Sequence, residues 1–180
     1  MTRAQNPYDS LPQVPSFTVR SNDVSEGETL ASPHLSGIFG VPGGEDRSPH
    51  LVWEGFPAET KSFAVTCFDP DAPTGSGFWH WAVFNIPASV TELASGAGDA
   101  AGSGLPSGAT TLAGDGNVRQ YLGAAPPPGH GPHRYIFAVH ALDVDSLDIP
   151  GEARPAFLGF NMFGHTLARA TLTALYENKG

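Results

Sequence analysis

The chain has 180 residues, a length that suits one domain and can bury a sizeable core without metal or disulfide staples. Its formal net charge is −9 with only nine Lys and Arg, so it offers no cationic stripe to a nucleic acid and no general attraction to an anionic membrane surface. Hydrophobic residues make up 40% and charged residues 15%, while 22 glycines and 17 prolines point to many short strands joined by turns rather than to a helical bundle. Cys67 stands alone, so neither an intrachain disulfide nor a cysteine zinc cluster is expected. Residues 1–15 lack the apolar segment of a signal peptide, and no run approaches the roughly 20 apolar residues of a membrane span. The expected location is the cytoplasm.

In chain order, residues 1–16 read as an N-terminal arm, because Pro7, Pro12 and Pro15 exclude regular helix. A strand is predicted at 17–19, short strands and loops over 21–50, and another strand at 51–53. Residues 62–68 form a nearly continuous β-prone run, as expected of a central strand buried on both faces. Residues 78–86 form the next strand. Strict alternation puts Trp79, Trp81, Val83 and Asn85 on one face and His80, Ala82, Phe84 and Ile86 on the other. One or two helical turns are predicted over 87–93. Residues 94–117 contain seven glycines and read as a long loop with a short strand near 110–112. A Pro- and Gly-rich loop over 121–132 leads into a third clear strand at 133–142, with His133, Tyr135, Phe137, Val139 and Ala141 on one face. After Pro155, the apolar residues Phe160, Phe163, Leu167, Ala170 and Ala174 recur at spacings of three and four. That predicts an amphipathic helix of about five turns ending near Tyr176, with His165 hydrogen-bonded and half-buried beside it. The whole chain, residues 1–180, reads as one domain.

Chemistry-bearing residues concentrate at the ends of the strong strands: Asp69–Pro70–Asp71–Ala72–Pro73, then Trp79–His80–Trp81, then Gly129–His130–Gly131–Pro132–His133–Arg134–Tyr135. In an extended segment Asp69 and Asp71 would point the same way, and the imidazoles of His80 and His133 could relieve their repulsion. A carboxylate can fix one histidine tautomer and leave the other nitrogen for a ligand. Histidine nitrogens, the Tyr135 hydroxyl and loop amides would then meet an anion's oxygens. Each piece also has a plain structural explanation. Asp-Pro-Asp is an ordinary turn sequence, a histidine on an apolar face is usually a satisfied core residue, the tryptophans suit the core, and Arg134 would most simply pair with an acidic neighbour. Two Asp and two His could alternatively serve a metal-dependent or acid/base hydrolase. However, no Gly-x-Ser-x-Gly, His-Glu-x-x-His or Walker sequence accompanies them. A pocket that serves stability alone is the third alternative.

The joint order of these segments resembles the phosphatidylethanolamine-binding protein (PEBP) family, most closely its bacterial Raf kinase inhibitor-like (YbhB/YbcL-type) branch. The resemblance is carried by Asp69–Pro70–Asp71–Ala72–Pro73 followed by His80–Trp81 and Asn85–Ile86–Pro87. It continues in Tyr121, Gly123, Pro126–Pro127–Pro128 and the Gly129 to Tyr135 run, with Ser48–Pro49 and Leu51–Val52–Trp53 upstream and Leu175–Tyr176–Glu177 at the end. It implies a mostly β fold, with a central antiparallel sheet packed by a smaller sheet, flanking helices and a C-terminal α-helix. It also implies an anion pocket lined by Asp69, Asp71, Pro73, His80, His133 and Tyr135, with Pro126 and Pro127 at its rim. The implied function is non-catalytic binding of phosphate-bearing ligands such as phosphorylethanolamine head groups, without a cofactor. Relatives that inhibit kinases or serine proteases, and bacterial relatives that pair, make inhibition and a homodimer compatible with the family. Ala124–Ala125 stand where the family often has Gly-Pro, which alters the rim.

Overall fold

The computed structural model describes residues 4–180. Among these residues eight strands form two antiparallel sheets. In chain order the strands are β1 (Thr18–Arg20), β2 (Leu51–Glu54), β3 (Ser62–Asp69), β4 (Phe78–Pro87), β5 (Glu92–Leu93), β6 (Thr110–Thr111), β7 (His133–Leu142) and β8 (Thr166–Tyr176). The large sheet has the order β6-β4-β3-β7-β8 and the small one β1-β2-β5. β3 lies at the centre of the large sheet, and all eight of its residues are buried. That matches its nearly continuous β-prone run, since a strand covered on both faces is mostly apolar and its few polar side chains, Ser62, Thr66 and Asp69, are buried and hydrogen-bonded.

Each face of the large sheet has its own core. Phe63, Val65, Cys67, Trp81, Val83, Tyr135, Phe137 and Val139 pack toward the small sheet with Leu51, Trp53 and Leu93. Ala64, Ala82, Phe84 and Leu142 face the opposite way and pack against Leu158 and Met162 of α1 (Pro155–Met162). Phe63, Val65, Leu158 and Phe137 are completely buried. Burying a side chain of this size contributes roughly 1.5–3 kcal/mol.

Alternation along β4 breaks twice. Phe63 pairs with Ile86 and Val65 with Val83, so two β4 residues oppose one on β3, and the bulge is turned by Asn85 at φ 59°. The bulge returns Ile86 to the side of Val83, and both join the core facing the small sheet. Asn85 is pinned there: its amide donates to the Leu147 carbonyl and its carbonyl accepts from the Leu147 N–H. The second bulge lies at His80, since Cys67 pairs with Trp81 and Phe68 with Trp79. A bulge re-aims one side chain, and this one separates His80 from the face that Ala82 and Phe84 share.

The predicted long C-terminal helix is corrected. Only residues 155–162 are helical, and the chain from Thr166 is strand β8, paired with β7 over ten residue pairs from His133↔Tyr176 to Leu142↔Thr166. Ala168, Ala170, Leu172 and Ala174 are buried at a period of two, and the exposed edge of β7 gives this segment a ladder that outweighs the helix preference of its Ala and Leu residues. Phe160 and Phe163, read as part of a buried stripe, are exposed at 76% and 67%. The turns predicted after Pro87 give way to the short strand β5. His165 is half-buried and bonded to Asp143 at 2.8 Å, as expected.

Candidate functional site

The C-terminal end of β3 and the N-terminal ends of β4 and β7 meet at one edge of the large sheet, where the 121–132 loop crosses them. There they enclose a cavity of about 200 Å³, lined by Asp69, Pro73, His80, Pro126, Pro127, His133 and Tyr135 among others. Seven of the eight residues expected at the site are therefore gathered around one space.

The eighth, Asp71, turns elsewhere. The chain bends immediately after β3, and the Asp71 N–H donates to Asp69 Oδ1 at 2.8 Å, closing a local turn. The two carboxylates consequently do not point the same way. Asp71 accepts from Arg134 through Nε, Nη2 and the backbone N–H, at 2.8, 2.8 and 2.9 Å. This two-pronged, charge-assisted pair holds the Asp-Pro-Asp turn to the start of β7, and it raises the pKa of the Arg134 guanidinium. Arg134 thus braces the loop, as its plain reading had it.

Asp69 is buried and fully engaged, because its other oxygen, Oδ2, accepts from His133 Nδ1 at 2.7 Å. His133 Nε2 in turn lies 2.7 Å from Nδ1 of His130. Asp69, His133 and His130 form a continuous polar chain running from the buried strand end to the half-exposed loop. We predict that Asp69→Asn will lower stability by about 1–3 kcal/mol in urea denaturation, because its amide nitrogen must face one of two buried N–H donors. A variant as stable as the parent would show that this chain contributes nothing to the fold.

His80 is held by the 121–125 segment. Its Nδ1 donates to the Leu122 carbonyl at 2.8 Å, and the Leu122 N–H donates to the His80 carbonyl at 2.9 Å. Burial lowers the His80 pKa, the partial compensation coming first from the Leu122 carbonyl. The neutral ring therefore carries its proton on Nδ1, and Nε2 is an acceptor. The His80 ring stands edge-on to Tyr135, with centroids 5.1 Å apart. The Tyr135 hydroxyl is buried and has no hydrogen-bond partner among the described residues. Burial, aided by the Asp69 charge, raises its pKa far above the ordinary phenol value, so it remains an O–H donor. The indole N–H groups of Trp53 and Trp81 likewise have no partner among the described residues, but neither residue lines the cavity.

Several contributors were not singled out from sequence. Phe39, Phe78 and Thr74 complete the lining together with Ala72 of the Asp-Pro-Asp motif and Ala125, one of the two alanines expected to alter the rim. Asp46 sits behind the site, accepting from the Gly123 N–H and the Ile38 N–H at 2.8 Å each, and so ties the Phe39 loop to the 121–125 loop. The one signal for His130 was its spacing, three residues before His133 in a Gly-rich turn. Nothing local distinguishes Asp46 from an ordinary loop aspartate. Among the described residues no group of three or more His, Cys, Asp or Glu is placed to hold a metal ion.

Residues 20–177 match the family described as phosphatidylethanolamine-binding protein. The chain belongs to the phosphatidylethanolamine-binding protein family. It is 48% identical over 160 residues to the UPF0098 protein YbhB of Escherichia coli K12, covering 87% of this chain and 98% of that protein. It is 44% identical over 167 residues to YbcL of the same organism, covering 93% and 91%. The crystal structure of E. coli YbcL, described as a member of the mammalian PEBP family, superposes with a TM-score of 0.86 at 44% identity, over 90% of this chain and 98% of that one. The PEBP homolog CT736 of Chlamydia trachomatis follows at a TM-score of 0.75 and 27% identity, over 91% and 98%. The two-sheet PEBP fold is thereby established for this chain. Membership of the family supports a binding or regulatory protein in general. No helix among the described residues is long and apolar enough to cross a membrane.

Proposed function

We propose that this PEBP-family chain is a non-catalytic binding protein whose sheet-edge cavity takes the phosphate group of a small molecule or lipid head group, phosphorylethanolamine being the model ligand. The observation that carries the proposal is the buried Tyr135 hydroxyl, a donor without a partner among the described residues, beside a neutral His80 whose Nε2 is an acceptor. Leaving a buried polar group unsatisfied costs about 1–3 kcal/mol, and a ligand oxygen would recover that cost. A phosphate monoester carrying one proton matches the pair: its P–OH donates to Nε2, and an unprotonated oxygen accepts from Tyr135. In this proposal the protein is cytoplasmic, needs no cofactor, and pairs with a second copy of itself.

The test is titration with phosphate and phosphorylethanolamine, followed by the histidine ring resonances, on the parent and Tyr135→Phe. The expected result is saturable binding that is tighter at pH 6 than at pH 8, because the second ionisation of a phosphomonoester lies near about 6. Tyr135→Phe should weaken binding about tenfold while leaving the ligand-free melting temperature equal or higher, since the orphaned hydroxyl is gone. Unchanged affinity in a folded Tyr135→Phe protein would overturn the proposal.

A further inference from the structure

A second and larger cavity, about 370 Å³, lies on the opposite face of the large sheet, between that face, α1 and residues 7–14 of the N-terminal arm. Its volume falls within the range of small-molecule sites, roughly 300–1,000 Å³. Apolar walls come from the arm and helix, among them Leu11, Val14, Met162 and Phe163. Leu11 and Phe163 are also exposed large hydrophobics, at 38% and 67%, so an apolar rim surrounds the opening.

The floor is polar and carries one charge. Arg169 of β8 pairs across the ladder with His140 of β7, and its Nε–H donates to His140 Nδ1 at 3.2 Å. The His140 proton therefore sits on Nε2 and is directed to Thr66 Oγ1, 3.1 Å away, which is itself 3.4 Å from the Tyr8 hydroxyl. His140 is neutral, and so are Thr66 and Tyr8. The guanidinium of Arg169 stacks over the Tyr8 ring at 5.0 Å. Among the described residues it has no carboxylate partner, and its two Nη groups make no hydrogen bond. Among the described residues no Asp, Glu, Lys or other Arg lines the cavity. A half-buried guanidinium with free donors and no counter-ion, at the base of an apolar chamber, is an arrangement whose missing element is an anion.

We propose that this cavity is a second ligand site, for a small amphiphile with an alkyl chain and a single terminal carboxylate, which the Arg169 fork would receive. A carboxylate matches the guanidinium in both charge and planar two-oxygen geometry. A phosphate dianion would leave one charge uncompensated in an apolar space. The site is independent of the phosphate cavity, which lies at the edge of the sheet and draws its residues from the other face.

Decanoate below its micellar concentration is the probe, titrated calorimetrically into the full chain with saturating phosphate present. The expected result is one saturable site, with affinity rising up to about fourfold per added methylene from hexanoate to decanoate. Decanoate should bind at least tenfold tighter than decanol, and Arg169→Gln should abolish that preference while leaving decanol binding unchanged. Gly159→Leu provides a variant that keeps the charge: Gly159 lines the cavity, and a Cβ there meets nothing within 4 Å. It should fill the space and block both ligands in a folded protein. Equal binding of decanol and decanoate to the parent, a carboxylate preference that survives Arg169→Gln, or tighter binding of decyl phosphate than decanoate would each overturn the proposal.

Discussion

Gly123→Ala is expected to destabilise the protein by about 3–5 kcal/mol and to dismantle the sheet-edge cavity in any fraction that still folds. The backbone at Gly123 passes directly over the 35–36 segment, and an added Cβ would overlap the Leu35 carbonyl and the Ser36 amide. These are backbone atoms, so no side-chain rotation can relieve the overlap. The two segments are joined by the Ser36 N–H to the Ala124 carbonyl at 3.0 Å, the Ala124 N–H to the His34 carbonyl at 3.2 Å, and the Tyr121 hydroxyl to the same His34 carbonyl at 2.9 Å. Pushing them apart breaks this set together with the bond from Gly123 to Asp46. It also moves Leu122, whose carbonyl fixes the His80 tautomer. Urea denaturation and the His80 ring resonances follow the two effects separately. Gly159→Ala is the control, and helix propensity predicts that it will be neutral or more stable by about 0.5–1 kcal/mol. A Gly123→Ala protein as stable as this control would show that the two loops can part without loss.

The strands that hold the site were legible because their signals are local. The nearly continuous β-prone runs of β3 and β7 each specify a strand whatever surrounds them, and both appear at nearly the expected bounds. β8 was misread because Leu167, Ala170 and Ala174 satisfy a helical period, whereas the two-residue period of Ala168, Ala170, Leu172 and Ala174 acquires meaning only beside β7. The bulge at His80 is likewise a property of a pair of strands, not of one. Strict alternation placed His80 with Ala82 and Phe84, yet the extra β4 residue brings it to the ring of Tyr135. At the site, the histidines, the tyrosine and the prolines were identified by motif. The motif could not tell which of two aspartates two residues apart would face the cavity. That choice follows from the Asp71 N–H closing a turn on Asp69 and from Arg134 reaching across from β7.

Two buried histidines give the sheet a shared sensitivity to acid. His80 donates through Nδ1 to a carbonyl, His140 accepts at Nδ1 from Arg169, and burial holds both rings in the neutral form. Burial lowers the His140 pKa most, to about 3, with the Arg169 charge adding to it. The other groups facing it, Thr66 and Tyr8, carry no charge to offset that effect: burial raises the Tyr8 pKa to about 12, so its hydroxyl stays protonated. In the unfolded chain a histidine titrates near about 6.5. Between that value and the depressed folded value the unfolded state binds a proton that the native state refuses. The contribution of His140 is therefore fully present above about pH 6.5 and declines as pH falls toward about 3. One proton corresponds to about 1.4 kcal/mol per pH unit, so His140 alone accounts for several kcal/mol across the interval. His80, whose pKa burial also lowers, adds a term of the same sign. His140→Gln retains an acceptor for Arg169 and a donor for Thr66 but cannot take up a proton. In urea denaturation between pH 7.5 and 4 it should begin less stable than the parent and lose stability more slowly, so that the two curves converge or cross. Parallel curves would mean that His140 is protonated in the folded protein. The Arg169–His140–Thr66 chain would then be a charged network rather than the neutral floor described above.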